Sequence, residues 1–281
     1  MSDMKDNDSQ ELDLHAYIEQ TAEDKIVYDR NIEAYNDWKL KINKLVIDTE
    51  ETFENIKINI ESFISEIEII LESLDSDNKK IIENRIKGIN MINKMCRNVL
   101  STNSLNKISQ LEMKEFENNK IVDAFNDKSE DEMRFIMNEN YSFITEVSAE
   151  KSNLINKYFG FIENSILPII DGIDSGISFA ENSSAEIVKE KILPQYIKLR
   201  SIFDGFLEKC KISRIDVKVN DDIDFEFVEV LDVEKTDNPE LDEKIESVIR
   251  DGYEYMEDIY DVGHNHVLRL AQVIGIKSVD N

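Results

Sequence analysis

Apolar residues alternate at steps of three and four positions through residues 53–74, and this spacing constrains the fold more than any other feature of the sequence. A step that averages about 3.5 residues places the apolar side chains on one stripe of an α-helix, which is typical of a helix that packs along another helix. The 281-residue chain has only eight Gly and three Pro, and therefore few positions for tight turns. The sequence predicts long helices and excludes a compact all-β fold. The residues of the stripe are Phe53, Ile56, Ile60, Phe63, Ile67, Ile70 and Leu74.

Residues 12–110 are predicted to form an N-terminal region of three helices, which is enough for a small bundle. The pattern is lost at residues 48–50, and we expect a break between the first two helices there. Residues 75–78 and 101–104, rich in Asp, Asn and Ser, are predicted to end the second and third helices. Residues 1–11 are polar and acidic, so we expect a disordered N-terminus.

Helical spacing returns from residue 133 to 166, after a polar stretch that fits either a helix or a loose connection. No Gly occurs between residue 133 and Gly160, and a helix of this length is more typical of a paired helix than of an ordinary globular one. Residues 111–212 are therefore predicted to hold a long helix and shorter helices in a dimer bundle, with disturbances at Pro168 and Pro194. The predicted dimer seam comprises Tyr141, Ile144, Ile155 and Ile162.

The pattern changes to β-structure in residues 213–281, with a predicted boundary near residue 212. Apolar residues alternate with period two in residues 215–219 and 225–233, and residues 267–276 form a third candidate strand. Residues 243–255 fit either a pair of strands or a short helix. The sequence thus predicts a mainly α protein that ends in a small, compact β-rich domain.

The charge balance restricts the kinds of partner. Asp and Glu number 60 against 33 Lys and Arg, which gives a formal net charge of -27. Nucleic acids and anionic membranes bind clustered Lys and Arg, so we expect neither as a partner. No apolar stretch reaches the length of a membrane span, and the two cysteines are far apart without a CxxC motif. These features favour a cytoplasmic protein without disulfides.

Enzymatic motifs are lacking. The sequence has no Gly-rich phosphate loop, GxSxG or HExxH motif, and three His offer little acid–base chemistry. Asp261, His264 and His266 lie close in sequence, but no fourth ligand accompanies them, so we expect no metal site. We expect neither a cofactor nor an enzymatic activity.

Four stretches of the carboxyl half resemble the GrpE family, the nucleotide exchange factors of DnaK-type chaperones. Glu139-Asn140-Tyr141 is similar to the family's ENY, and residues 166–173, ILPIIDGI, to its LLPVLDNL. Residues 249–253, IRDGY, resemble its VLQKGY, and residues 267–274, VLRLAQVI, resemble its VLRPAMVKV. The four stretches follow the family order and together cover about half of the chain. The resemblance implies a long paired helix, shorter helices and a compact β-domain.

The resemblance also implies a homodimer whose β-domain binds the nucleotide-binding domain of a DnaK-type chaperone ATPase and releases ADP. The implied partner-binding residues are His266, Arg269, Phe225, Glu226, Glu229 and Tyr253, and the implied structural residues are Gly252, Ala271 and Pro168. His266 stands where the family has an additional arginine. His266 and Arg269 are three apart and face opposite sides of a regular strand. We therefore expect His266 to contact the partner and Arg269 to support the fold or the rim of the contact. Tyr253, beside Gly252, is expected to be a packing anchor or a contact.

Two departures from the family keep a second function open. Residues 224–230 stand where the family has a histidine-glutamate-alanine segment, without a clean match, and residues 252–269 form a longer stretch than in typical members. The alternative is a dimeric coiled-coil adaptor that tethers partners through residues 12–110 and has lost exchange activity. A hydrolase or transferase with an unrecognised acidic site is a third possibility. Residues 221–243 carry eleven acids and one Lys, either as a solvated face or as a surface that steers a basic partner.

Overall fold

The computed structural model describes residues 4–71, 76–101, 104–117, 121, 128–257 and 265–279. Its helices are α1 (Met4–Leu71), α2 (Ser76–Ser101), α3 (Ser104–Ser109), α4 (Glu130–Phe161), α5 (Leu167–Glu181) and α6 (Leu193–Lys209). Its strands are β1 (Ile212–Arg214), β2 (Val228–Thr236), β3 (Ile245–Arg250), β4 (Tyr253–Tyr255), β5 (His266–Arg269) and β6 (Ala271–Ser278). Long helices followed by a β-sheet region confirm the predicted fold class. Over the described ranges, no helix has both the length and the apolar character that crossing a membrane requires.

The first of two compact units contains Met1–Lys44 and Ile108–Tyr158. Its core lies along α1 and α4, where Trp38 meets Tyr158 edge to face with ring centroids 5.4 Å apart. The Lys151 ammonium donates a hydrogen bond to Asn31 Oδ1 over 3.2 Å. Helix α4 is therefore a paired helix, as predicted, but α1 of the same chain packs along it. Helix α1 begins at Met4, within the segment that we expected to be disordered.

This pairing corrects part of the predicted dimer seam. Ile155 in α4 and Ile162 in the following turn are almost completely buried by residues of their own chain, so they are unavailable to a second copy. Tyr141, by contrast, is 71% exposed, and Ile144 is half-buried. Periodicity alone could not show which of these residues are buried within the chain and which can contact a second copy. A stripe that packs within the chain has the same spacing as a stripe that packs between chains.

The second compact unit contains Leu45–Lys107 and Phe159–Asn281, and its helices disprove the predicted break at residues 48–50. Helix α1 continues through this point. The buried Thr49 hydroxyl donates to the Leu45 carbonyl over 2.6 Å, and Lys209 Nζ lies 3.8 Å from Asp48 Oδ1. Since the helix itself satisfies the hydroxyl, a polar residue can occupy the buried stripe without ending the helix.

The disturbances predicted at Pro168 and Pro194 take the form of π-helical turns. The turns Ile162–Ile166 and Val188–Ile192 directly precede α5 and α6, and each proline is the second residue of its helix. A proline is tolerated in the first turn of a helix, because an N–H group there has no carbonyl acceptor within the helix. The helical path therefore continues from each π-helical turn into the following helix without ending at the proline.

The strands form two three-stranded sheets. One sheet has the order β1-β4-β5 and is antiparallel throughout. The other has the order β2-β6-β3, with β2 parallel and β3 antiparallel to the central β6. Its core consists of Val228, Ile245, Ala271 and Val273.

The predicted strands agree with these sheets in part. Residues 243–255 contain two strands, β3 and β4, which belong to different sheets and do not pair with each other, and residues 267–276 divide at Leu270 between the same two sheets. Residues 215–219 are not a strand, because the Lys218 N–H donates to the Asp221 carboxylate over 2.8 Å and turns the chain. Strand β2 begins three residues later than predicted, since the Phe227 and Val228 amides both bond to the Asp224 carbonyl.

Candidate partner-binding site

Asp171 in α5 joins the helices of the second unit to both sheets. The Arg269 guanidinium of β5 binds it in bidentate form, with Nη1 to Oδ2 at 3.0 Å and Nη2 to Oδ1 at 2.8 Å. Arg250 at the end of β3 donates to the same carboxylate from Nε at 2.9 Å and from Nη2 at 2.7 Å. Charge-assisted pairs of this geometry are among the stronger hydrogen bonds in proteins. We call Asp171, Arg250 and Arg269 the latch.

The latch also holds the turn between β3 and β4. Arg269 donates to the Asp251 carbonyl from Nε at 3.2 Å and from Nη2 at 2.9 Å. Its guanidinium lies 5.3 Å from the centroid of the Tyr253 ring, within the range of a cation–π contact. The Arg269 side chain is only 14% exposed. This environment fits the supporting role expected for Arg269 and leaves little of it for a partner.

Tyr253 is completely buried, so our expectation that it contacts a partner is wrong. Its hydroxyl accepts a hydrogen bond of 3.0 Å from Arg200 Nη2 in α6. Arg200 also pairs with Asp174, at 2.7 Å, and with Asp204. Burial raises the pKa values of Tyr253 and Asp174. The alternative role, a packing anchor between β4 and α6, describes Tyr253 correctly.

Gly252 and Ala271, which the resemblance implies are structural residues, lie where two backbone segments approach each other closely. A Cβ atom at Gly252 would lie 2.5 Å from the Ala271 nitrogen and 3.0 Å from the Arg269 carbonyl oxygen, closer than side chains approach backbone. The buried Ala271 donates its N–H to the Phe227 carbonyl over 2.9 Å. Gly252 is therefore required for the close approach of two backbones.

His266 in β5 packs on its own chain. Its ring stacks on Phe159 with centroids 5.0 Å apart and an interplanar angle of 28°. Phe159 in turn meets Tyr255 edge to face at 5.2 Å. Partial burial lowers the pKa of His266. One side of the imidazole is thus committed to packing, and a partner can reach only the part that stays exposed.

The other predicted contact residues lie at the edge strand β2 and are open to solvent. Phe225 is 74% exposed in the turn before β2, and Glu226 and Glu229 are exposed beside it. Glu229 accepts a hydrogen bond of 2.8 Å from Gln272. Leu231 and Val233 of β2 are about half exposed. We call Phe225, Glu226, Glu229, Leu231 and Val233 the β2 surface.

The structure separates the predicted site into two groups. Gly252, Tyr253, Arg269 and Ala271 come together as an internal scaffold at the junction of the two sheets, whereas the residues of the β2 surface lie at and before the edge strand β2 and are exposed. Sequence reasoning missed Asp171, Arg200 and Arg250, although Asp171 and Arg250 lie inside the stretches that carry the family resemblance. The sequence signal that could have identified Asp171 is its position as an isolated charge within an apolar helical stretch.

No metal or thiol chemistry emerges in the part of the chain that the structure describes. No group of at least three His, Cys, Asp or Glu in these ranges could hold a metal ion. Asp261 and His264 lie outside the described residues. Cys96 and Cys210 are buried, and burial raises the pKa of Cys96 to about 12, so its reactive thiolate is suppressed.

A model of the GrpE family matches residues 122–275, which is more than half of the chain. Neither the curated proteins nor the solved structures include a significant match. The matched range begins before α4 and ends within β6, so it contains the latch and the β2 surface.

Proposed function

Because the chain belongs to the GrpE family, we propose that it is a nucleotide exchange factor that releases ADP from a DnaK-type chaperone ATPase. The family consists of chaperone cofactors, not of enzymes in the usual sense. The observation that carries the proposal is the extent of the family match, from residue 122 to residue 275.

The exchange mechanism requires selective binding and no catalytic group. An exchange factor binds the open nucleotide cleft of its partner more tightly than the closed cleft, and so shifts the equilibrium towards the open form. A preference of about 1000-fold corresponds to roughly 4 kcal/mol. By linkage, the affinity for ADP falls by the same factor. The lack of recognisable enzymatic motifs in the sequence agrees with this mechanism.

The latch and the β2 surface support the placing of the partner on the β-domain. The latch fixes both sheets to α5, so less conformational freedom is lost when a partner binds. The β2 surface offers an exposed aromatic residue flanked by acidic side chains. Aromatic residues often supply the central binding energy of an interface, and the acidic residues complement a basic surface. Phe225 is therefore the residue that we assign to the centre of the contact.

Dimerisation, which the family implies, is proposed to use the side of α4 that α1 leaves open. Met137, Tyr141 and Ile144 follow one another at steps of four and three, and each is exposed or half-buried. These residues replace Ile155 and Ile162 as the proposed seam.

Stopped-flow release of a fluorescent ADP from the chaperone ATPase of the same organism tests the proposed activity. The full-length protein should accelerate release at least tenfold. Phe225→Ala should reduce the acceleration about tenfold or more, as loss of a central aromatic contact does. Val219→Ala is the matched control, since Val219 is also an exposed apolar residue but lies outside the β2 surface. Binding to the ATPase without accelerated release would contradict exchange activity and favour the adaptor alternative.

A further inference from the structure

A segment of the first unit with neither helix nor strand, residues 111–117, lies across α1 and α4, and we call it the strap. Tyr28 and Tyr35 of α1 have fully buried rings whose hydroxyls reach the strap backbone. Tyr28 donates to the Glu117 carbonyl over 3.2 Å, and Tyr35 donates to the Lys114 carbonyl over 3.2 Å. Because these acceptors are main-chain carbonyls, the two contacts do not depend on which side chains the strap carries.

The spacing of the two tyrosines matches an extended chain. Tyr28 and Tyr35 are seven residues apart on a helix, which corresponds to a rise of about 10.5 Å. Their acceptors are three residues apart, and an extended chain covers about 10 Å in three residues. The strap runs antiparallel to α1, since the later carbonyl meets the earlier tyrosine. Two tyrosines one heptad apart therefore bind two carbonyls three residues apart, a spacing that fits an extended polypeptide.

Two side chains of the strap give the groove a sequence preference. The Lys114 ammonium lies 3.1 Å from the carboxylates of both Glu146 and Glu150, one turn apart on α4. The Phe116 ring meets Tyr35 edge to face with centroids 5.1 Å apart. The groove thus binds a lysine and an aromatic residue two positions later.

The contacts that hold the strap are weak enough for a segment of another chain to replace it. Leu111, Met113 and Phe116 are only half-buried, and the other strap residues are exposed. It therefore buries little apolar surface. Its ion pairs, Lys114 with Glu146 and Glu150 and Glu115 with Lys39, each include a solvent-exposed strap residue and contribute little to stability. A tyrosine hydroxyl is protonated at neutral pH, and burial raises the pKa values of Tyr28 and Tyr35 further, so both hydroxyls can donate.

We propose that the groove between α1 and α4 is a binding site for an extended segment of a second polypeptide with a lysine two residues before an aromatic residue. The strap is the intramolecular occupant of this site. Its covalent attachment gives it an effective concentration in the millimolar range, which an external segment must exceed to displace it. The proposal is independent of nucleotide exchange.

A labelled peptide tests the proposal on the full-length protein. The probe is a fluorescein-labelled peptide with the sequence of residues 109–118, measured by fluorescence polarisation. In the first variant, a Gly-Ser sequence of equal length replaces the strap. This variant should bind the peptide at least tenfold more tightly than the wild type, because the competing segment has been weakened. If it loses helical circular dichroism, the milder double variant Lys114→Gln/Phe116→Ala takes its place.

Control variants and a control peptide distinguish specific recognition of the peptide from nonspecific binding. In the variant background, Tyr28→Phe and Tyr35→Phe should each weaken binding roughly two- to tenfold, the effect of one lost hydrogen bond. Tyr17→Phe, which removes a hydroxyl of α1 that neither strap contact uses, should leave binding unchanged. A peptide carrying Lys114→Glu and Phe116→Ser should bind at least tenfold more weakly. If folded variants bind no more tightly than the wild type, or if both Tyr→Phe changes are silent, the proposal fails.

Discussion

At the scale of single residues, Gly252 gives the sharpest prediction, because an added Cβ would collide with backbone at the junction of β4 and β6. Gly252→Ala should lower the free energy of unfolding by about 1–3 kcal/mol, as overpacking does. Gly205→Ala is the matched control, since nothing lies within 4 Å of its added methyl group. In the helix interior it should raise stability by about 0.5–1 kcal/mol. Urea unfolding measures both, and equal effects would contradict the steric argument.

The partial burial of His266 leads to a second prediction about a single residue, which concerns how the stability of the fold changes with pH. Burial holds its folded pKa below the ordinary value of about 6.5. As the pH falls through 6.5, the unfolded chain binds this proton first, so the folded state loses stability. The drop in melting temperature from pH 7.5 to pH 5.5 should therefore be smaller in His266→Gln than in the wild type. His15 and His264 are present in both proteins and cancel in the comparison. Equal drops would show that His266 does not contribute.

At the scale of elements, α4 has two sides with different roles. Tyr141→Asp/Ile144→Asp should halve the mass measured by light scattering and preserve the helical circular dichroism, because these residues face outward. Ile155→Asp should instead lower the melting temperature strongly, since it places a charge in the core formed with α1. A wild-type monomer at micromolar concentration would contradict the proposed seam. Unchanged melting of Ile155→Asp would contradict the intrachain packing.

The elements also show how far sequence reasoning reaches. Helical spacing of apolar residues predicted α2 and α4, and the polar residues 101–104 predicted the end of α2 near Ser101. It failed at Thr49, where a polar residue bonds within its own helix and stays buried. It also failed at residues 215–219, where a bond from Lys218 to Asp221 overrides the alternating pattern.

The site was less predictable than the elements. The family resemblance identified Gly252, Ala271 and Arg269, which occupy the scaffold around the latch. It could not show that Tyr253 is buried, because a tyrosine suits an interface and a core equally well. It also could not pair Arg269 with Asp171, since the two lie 98 residues apart and only the fold brings them together.

At the scale of the whole molecule, the net charge of -27 and the eleven acids of residues 221–243 predict electrostatic steering of a basic partner. The association rate with the chaperone ATPase should fall about tenfold between 50 and 300 mM salt, whereas the dissociation rate should change little. Glu234→Gln/Asp237→Asn, which neutralises two exposed acids, should reduce this salt dependence. Surface plasmon resonance measures both rates. A salt-independent association rate would show that the acidic face is only solvated.

The order β2-β6-β3 has a consequence for how the protein is made. The central strand, residues 271–278, is translated after both of its neighbours, which pair with it and not with each other. While the nascent chain grows, β2 and β3 have no partner in this sheet, and their edges stay open to pairing with other chains. The sheet cannot assemble stepwise during synthesis, even after the helices have formed. A ribosome that stalls before residue 271 therefore leaves a chain with complete helices and a sheet that cannot close.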